Sequence, residues 1–185
     1  MKKILLVLTA AAMFAACNDA KKEETKPEET AAATPAETPK AEVKMPYVSA
    51  YSNAFEVGNP AYAAMIEQGS WKDWEMNSMD NMKSWMADTI LAFQADNAVV
   101  RGADAMMARW KKGRAKYSKV IDTIHAALAT YNTDKKENWV MIWAKEINTN
   151  LKGKTDTVEL METWRINKDG KADMLLQYDR ATRKK

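Results

Sequence analysis

Near its C-terminus the chain reads Thr157-Val-Glu-Leu-Met-Glu-Thr-Trp-Arg-Ile-Asn-Lys-Asp-Gly-Lys-Ala-Asp-Met-Leu-Leu-Gln-Tyr178. Two runs rich in β-branched and apolar residues flank Asn167-Lys168-Asp169-Gly170, the pattern of a long β-hairpin. Gly170 supplies the positive φ of a tight reversal, and Asp169 is expected to cap the turn with its side chain. Alternation places Val158, Leu160, Glu162, Trp164 and Ile166 on one face of the first arm. A face with four apolar residues is a buried one, so Glu162 is a carboxylate in an apolar row and needs a reason to be there.

Working outward, Asn138 to Asn148 and Lys119 to Tyr131 also read as strands, with Lys152 and Gly153 in the turn before the hairpin. Ahead of them Ala103 to about Lys112 reads as a helix, preceded by strands at Met86–Phe93 and Ala98–Gly102. Short helical patterns fill Met79–Trp85 and the run from Asn59 to Trp74. In the latter, Asn59 is the expected N-cap and Pro60 takes the first helical position, where its missing N–H costs nothing. Tyr62, Met65, Ile66, Gly69 and Trp74 mark its apolar side. Met45 to Val57 fits either a short helix or an extended arm. Local reversals make the sheet antiparallel, and helices gathered early in the chain must cover one face of it, which is α+β architecture.

The N-terminus is set aside as a sorting signal. Lys2 and Lys3 precede an apolar run, Ile4 to Ala16, that is shorter than the roughly 20 residues a membrane span needs. Phe14-Ala15-Ala16-Cys17 resembles the lipobox of bacterial lipoproteins, with Phe14 in place of the usual Leu. The resemblance implies residues 1–16 as a lipoprotein signal peptide and Cys17, the single cysteine, as the acylated mature N-terminus. With Cys17 acylated no thiol is left for a disulfide, and the core alone must hold the fold. Residues 17–44, made of Lys, Glu, Thr, Pro and Ala, are expected to be a disordered tether. Lys22-Glu23-Glu24 is similar to the short export tags of surface lipoproteins, so the expected location is the outer membrane or cell surface, with the bilayer as partner through Cys17. Residues 45–185 then form one domain.

The element order, Trp85-Met-Ala-Asp88, Val100-Arg-Gly102-Ala-Asp104 and Trp164-Arg-Ile-Asn-Lys-Asp-Gly-Lys171 together resemble the nuclear transport factor 2-like superfamily, nearest its SnoaL-like branch. The resemblance covers about Asn59 to Tyr178. It implies a cone: a strongly bent antiparallel sheet whose concave face is covered by about three helices and encloses a pocket. Members include ketosteroid isomerases, polyketide cyclases, epoxide hydrolases and non-catalytic binding domains.

Two functions follow as expectations. The first is a non-catalytic domain that binds a small apolar or amphipathic ligand, or an envelope protein, with Trp74, Trp85, Glu162, Trp164 and Tyr178 as candidate contacts. The second is a small isomerase, cyclase or hydrolase, in which a pocket carboxylate with a raised pKa works as acid or base. Its candidates are Asp88, Asp122, Glu146 and Glu162, with Tyr178 as hydrogen-bond donor. Asp122 shares an apparent face with Val120, Ile124, Ala126 and Leu128, and Glu146 follows Val140, Ile142 and Ala144. A single histidine, His125, and no free cysteine make a zinc site unexpected; no metal or cofactor is called for. Trp139, Met141 and Trp143 oppose Val140 and Ile142, so this strand is apolar on both sides, and a homodimer through the outer sheet face is expected. The basic run from Arg109 to Lys119 is read as the solvated end of a helix, and no nucleic acid partner is expected.

Overall fold

The computed structural model describes residues 45–181; the signal, Cys17 and tether of the sequence reading lie outside the described residues. The chain enters as an extended arm, not a helix, and forms the short edge strand β1 (Phe55–Val57). Helix α1 (Pro60–Ile66) starts as its sequence dictates, with the Asn59 side chain accepting from Ala61 N–H at 3.0 Å.

The helix then widens. Glu67–Lys72 is a six-residue π-helical segment that leads into α2 (Asp73–Glu75). The wider turn rotates the side-chain phase, so Gly69, Ser70 and Trp71 all become buried. Gly69 is required here: a Cβ on it would stand 2.3 Å from Trp85 Nε1. Trp85 is itself buried and cannot swing away. Gly69→Ala is therefore expected to cost about 1–3 kcal/mol of stability. Equilibrium urea unfolding checks this as a lower midpoint at unchanged slope.

A 3-10 turn (Met79–Asn81) and α3 (Met82–Trp85) complete the roof, and β2 (Met86–Phe93), β3 (Val99–Arg101) and α4 (Ala103–Arg114) follow. The remainder is a meander of four strands, β4 (Tyr117–Asn132), β5 (Glu137–Asn150), β6 (Thr155–Ile166) and β7 (Ala172–Ala181). The sheet runs β1-β4-β5-β6-β7-β2-β3. All pairings are antiparallel except β2 with β7, which is parallel, so the sheet is mixed. Tight turns force antiparallel order only on neighbours in sequence. The strands β2 and β7 lie at opposite ends of the domain and are free of that constraint.

The turns share one device. Asn167 Oδ1 accepts from the N–H groups of Asp169 and Lys171, and Asn150 Oδ1 accepts from those of Lys152 and Lys154. The hairpin is thus capped by Asn167 and not, as expected, by Asp169. Gly170 (φ +74°) and Gly153 (φ +78°) take the left-handed position in each.

The core lies between the roof helices and the concave face of β4–β7. Trp164 and Ile66 are both fully buried there. Trp85 from the roof and Trp110 from α4 meet the Trp164 ring edge-on, at centroid distances of 5.5 and 6.1 Å.

Candidate binding cleft

One end of the cone stays open. Between α4, the π-helical roof and the floor formed by β5, β6 and β7 lies a cleft of about 770 Å³. Trp71 and Trp74 face it from the roof, Trp110 from α4, and Glu146, Asn148 and Glu162 from the sheet. Each position follows from alternation along its strand. On β5, Val140, Ile142, Ala144, Glu146 and Asn148 point inward; on β6, Glu162, Trp164 and Ile166 do.

Glu162 sits across from Ile142 at 3% exposure. Trp164 Nε1 donates to its Oε2 and Gln177 Nε2 to its Oε1, each at 2.9 Å. Burial nevertheless pushes its pKa up to about 7, against the opposing pull of these donors. This answers the question raised by its apolar row: the carboxyl is tolerated because two side chains bind it. Glu146 is also buried, accepts from Asn148 Nδ2 at 2.5 Å, and is raised by burial. The indole N–H groups of Trp71 and Trp74 are close enough to Glu162 and Glu146 to favour their ionised forms. Neither makes a hydrogen bond of good geometry.

Asp122 on β4 lies directly across from Glu146. Both its carboxyl oxygens are shielded from solvent and have no hydrogen-bond partner. Burial first, and the neighbouring Glu146, Glu75 and Glu162 next, raise its pKa to about 8. The nearby cation, Arg114, is committed elsewhere: its guanidinium donates to the main-chain oxygens of Trp74, Tyr117 and Glu75 at 2.7, 2.8 and 3.0 Å. It staples the end of the roof to the start of β4 and neutralises no carboxylate by direct contact.

The structure therefore gathers three of the expected carboxylates, Asp122, Glu146 and Glu162, with Asp122 behind the cleft surface. Asp88 stands exposed on β2 and takes no part in the cleft. Tyr178 faces outward, across from Met161 on the convex side, and is 60% exposed. It borders only a small depression of about 270 Å³, shared with Phe93 and Leu176. Of the expected ligand contacts, Trp74 and Glu162 line the cleft, whereas Trp85 and Trp164 are core residues beneath it. Their sequence pattern fits wall and core equally, since both are apolar positions. His125 falls at a bulge, where the register shifts between Ile124 and Ala126, and lies 3.5 Å from Glu159. The bulge also carries Leu128 to the outer face, where it is 41% exposed, and away from the side that holds Asp122. Trp71, Trp110 and Asn148 were not expected in the site. A helical spacing of three or four residues linking Ala103, Met106 and Trp110 was the available signal for Trp110. None existed for Trp71, which only the π-helical turn brings inward.

No protein-family model and no curated protein matches the chain. Solved structures do. An NTF2-like protein of unknown function from Exiguobacterium covers 62% of this chain and 98% of its own, with a TM-score of 0.52 at 14% identity. The chain has the nuclear transport factor 2-like fold. A SnoaL-like protein of unknown function from Burkholderia thailandensis matches this fold over 68% of the chain and 100% of its own, with a TM-score of 0.52 at 16% identity. The Δ5-3-ketosteroid isomerase from Mycobacterium sp. matches over 65% and 98%, with a TM-score of 0.52 at 19% identity. In this chain the nuclear transport factor 2-like cone supplies a ready-made hollow, and its own acids and indoles set what the hollow can hold.

Proposed function

We propose that the domain binds a small amphipathic molecule in the cone without transforming it, on a lipoprotein anchored at the outer membrane or cell surface through acylated Cys17. The observation that carries the binding reading is the open cleft of about 770 Å³ in which three indoles adjoin buried carboxyls. That is a cleft of the volume small-molecule sites occupy, lined mostly by polar and charged side chains with the three indoles, Val158 and Leu160 set among them. A hydrophobic body packs against half-buried Trp74 and what little of Trp71 and Trp110 is open, while Glu146 and Glu162 fix a polar end. Native mass spectrometry of protein from its own host is expected to find a small-molecule adduct that Trp74→Ala removes. Recovery of only ligand-free protein, with no thermal shift across a lipid and metabolite panel, contradicts the reading.

A second reading, acid–base catalysis in the manner of an isomerase, cyclase or hydrolase, is favoured by one observation: Glu162, with its pKa near 7, is poised to exchange a proton at neutral pH. Turnover of the recovered ligand that Glu162→Gln abolishes, with binding kept, selects the enzyme.

For the anchor, Cys17→Ala is expected to release the protein into the soluble fraction; retention in membranes contradicts it. We also propose a homodimer through the convex face, where Trp143 and Leu128 are 37% and 41% exposed among half-buried Met141 and Met161. Sedimentation at micromolar concentration that finds only monomer removes this part.

A further inference from the structure

The two walls of the cleft carry opposite charge. The α4 side presents Lys112 and Lys116, joined by Lys154 from the β5–β6 turn, while the sheet presents Glu146, Asp156 and Asp179. Arg109, also on α4, is already paired with Asp96 at 2.5 Å. The other six form no ion pair among the described residues. Lys112 in the last turn of α4, and Lys116 just past its end, complement the negative end of that helix, which accounts for their place in the sequence. It leaves unexplained why the facing acids stay unpaired across an open space.

Asn148 gives an independent indication. It is 6% exposed, and its Nδ2 is used on Glu146, but its Oδ1 has no donor. A buried acceptor without a partner is costly, and here it lies beside a carboxylate. The nearby protein donors are turned elsewhere: the Trp71 and Trp74 indole N–H groups lie toward the Glu162 and Glu146 carboxyls, and the Arg114 guanidinium is occupied by three main-chain oxygens. An ammonium group brings an N–H donor for the Asn148 oxygen and a positive charge to set beside Glu146.

We propose that the cleft takes a zwitterionic amphiphile, its ammonium group against Glu146 and the unpartnered Asn148 oxygen, its anionic group against Lys112, Lys116 and Lys154, and its apolar part on Trp74 and Trp110. This rests on the binding reading above and names the ligand class for it.

Four probes with the same octyl tail separate the possibilities: octyl phosphoethanolamine, octylamine, octyl phosphate and octyl glucoside, each titrated below its critical micelle concentration and followed by calorimetry and tryptophan fluorescence. The zwitterion is expected to bind about tenfold more tightly than either singly charged probe at neutral pH. The charge-reversed double variant Lys112→Glu with Lys116→Glu, both exposed positions that leave the core intact, is expected to erase the advantage of the zwitterion over octylamine. Glu146→Gln is expected to weaken the zwitterion and octylamine while leaving octyl phosphate unchanged. Octyl phosphate or octyl glucoside binding as tightly as the zwitterion overturns the proposal yet keeps the cleft as a binding site. Binding of no probe, with no ligand recovered from the host, removes both.

Discussion

Trp164→Ala lowers the unfolding free energy by about 3–5 kcal/mol, the cost of emptying a large aromatic site in a packed core. Trp164 is fully buried, and two further rings rest on it edge-on: Trp85 from the roof and Trp110 from α4. Its removal leaves a cavity under both covering elements at once, so neither can collapse into it without losing the other. It also strips Glu162 of one of its two donors. For a domain whose total stability is on the order of 5–15 kcal/mol, most of the margin goes. Trp164→Phe keeps a ring but not the N–H, and is expected to fall between the two. Guanidinium unfolding measures both variants, and a loss below about 1 kcal/mol for the alanine form would show that the ring is not at the junction of roof and sheet.

The second large effect is on pH. The Glu162 carboxyl has a pKa of about 7 in the fold against 4.5 when free. In this window the folded protein holds a proton that the unfolded chain has released. Stability therefore falls as pH rises from the free value through the folded one, by about 3 kcal/mol from this group. Asp122, raised from 3.8 to about 8, acts with the same sign and carries the decline further into alkaline pH. Glu75, Asp80 and Asp96 have lowered pKa values through Lys72, Lys111, and Ala98 N–H with Arg109 respectively, and they erode stability only in acid. The maximum is expected at about pH 4, between the acid erosion and the start of the Asp122 and Glu162 decline. Thermal unfolding from acid to alkaline buffers checks this. Glu162→Gln should lessen the descent between pH 4.5 and 7, and Asp122→Asn should lessen it all the way from 3.8 to about 8. A melting temperature constant across that range contradicts the burial of both groups.

Much of the fold could be read from residue order, because the strands alternate and the turns carry their own chemistry. Asn150-Leu-Lys-Gly153-Lys154 and Asn167-Lys-Asp-Gly170-Lys171 are the same Asn-x-x-Gly-Lys pattern, and both close by the same side-chain cap. Recognising the repeat would have named Asn167 as the cap. What stayed hidden depends on contacts distant in sequence. The parallel pairing of β2 with β7 joins segments far apart along the chain. The bulge at His125 reverses the faces of the rest of β4, which simple alternation cannot foresee. Glu146 and Glu162 were legible as acids in apolar rows. The partners that make them tolerable, Asn148 and Gln177, looked like ordinary polar residues of a strand. Tyr178 looked suited to a site, yet stands one alternation step from Gln177, on the opposite side of β7.

The account depends on a hollow concave face that holds buried acids. Carbon-detected NMR of the side-chain carboxyls, followed through a pH titration, tests this most directly. It should resolve one glutamate titrating near 7, lost in Glu162→Gln, and one aspartate near 8, lost in Asp122→Asn. A chain in which every carboxyl titrates below about 5, as it would in water, contradicts it.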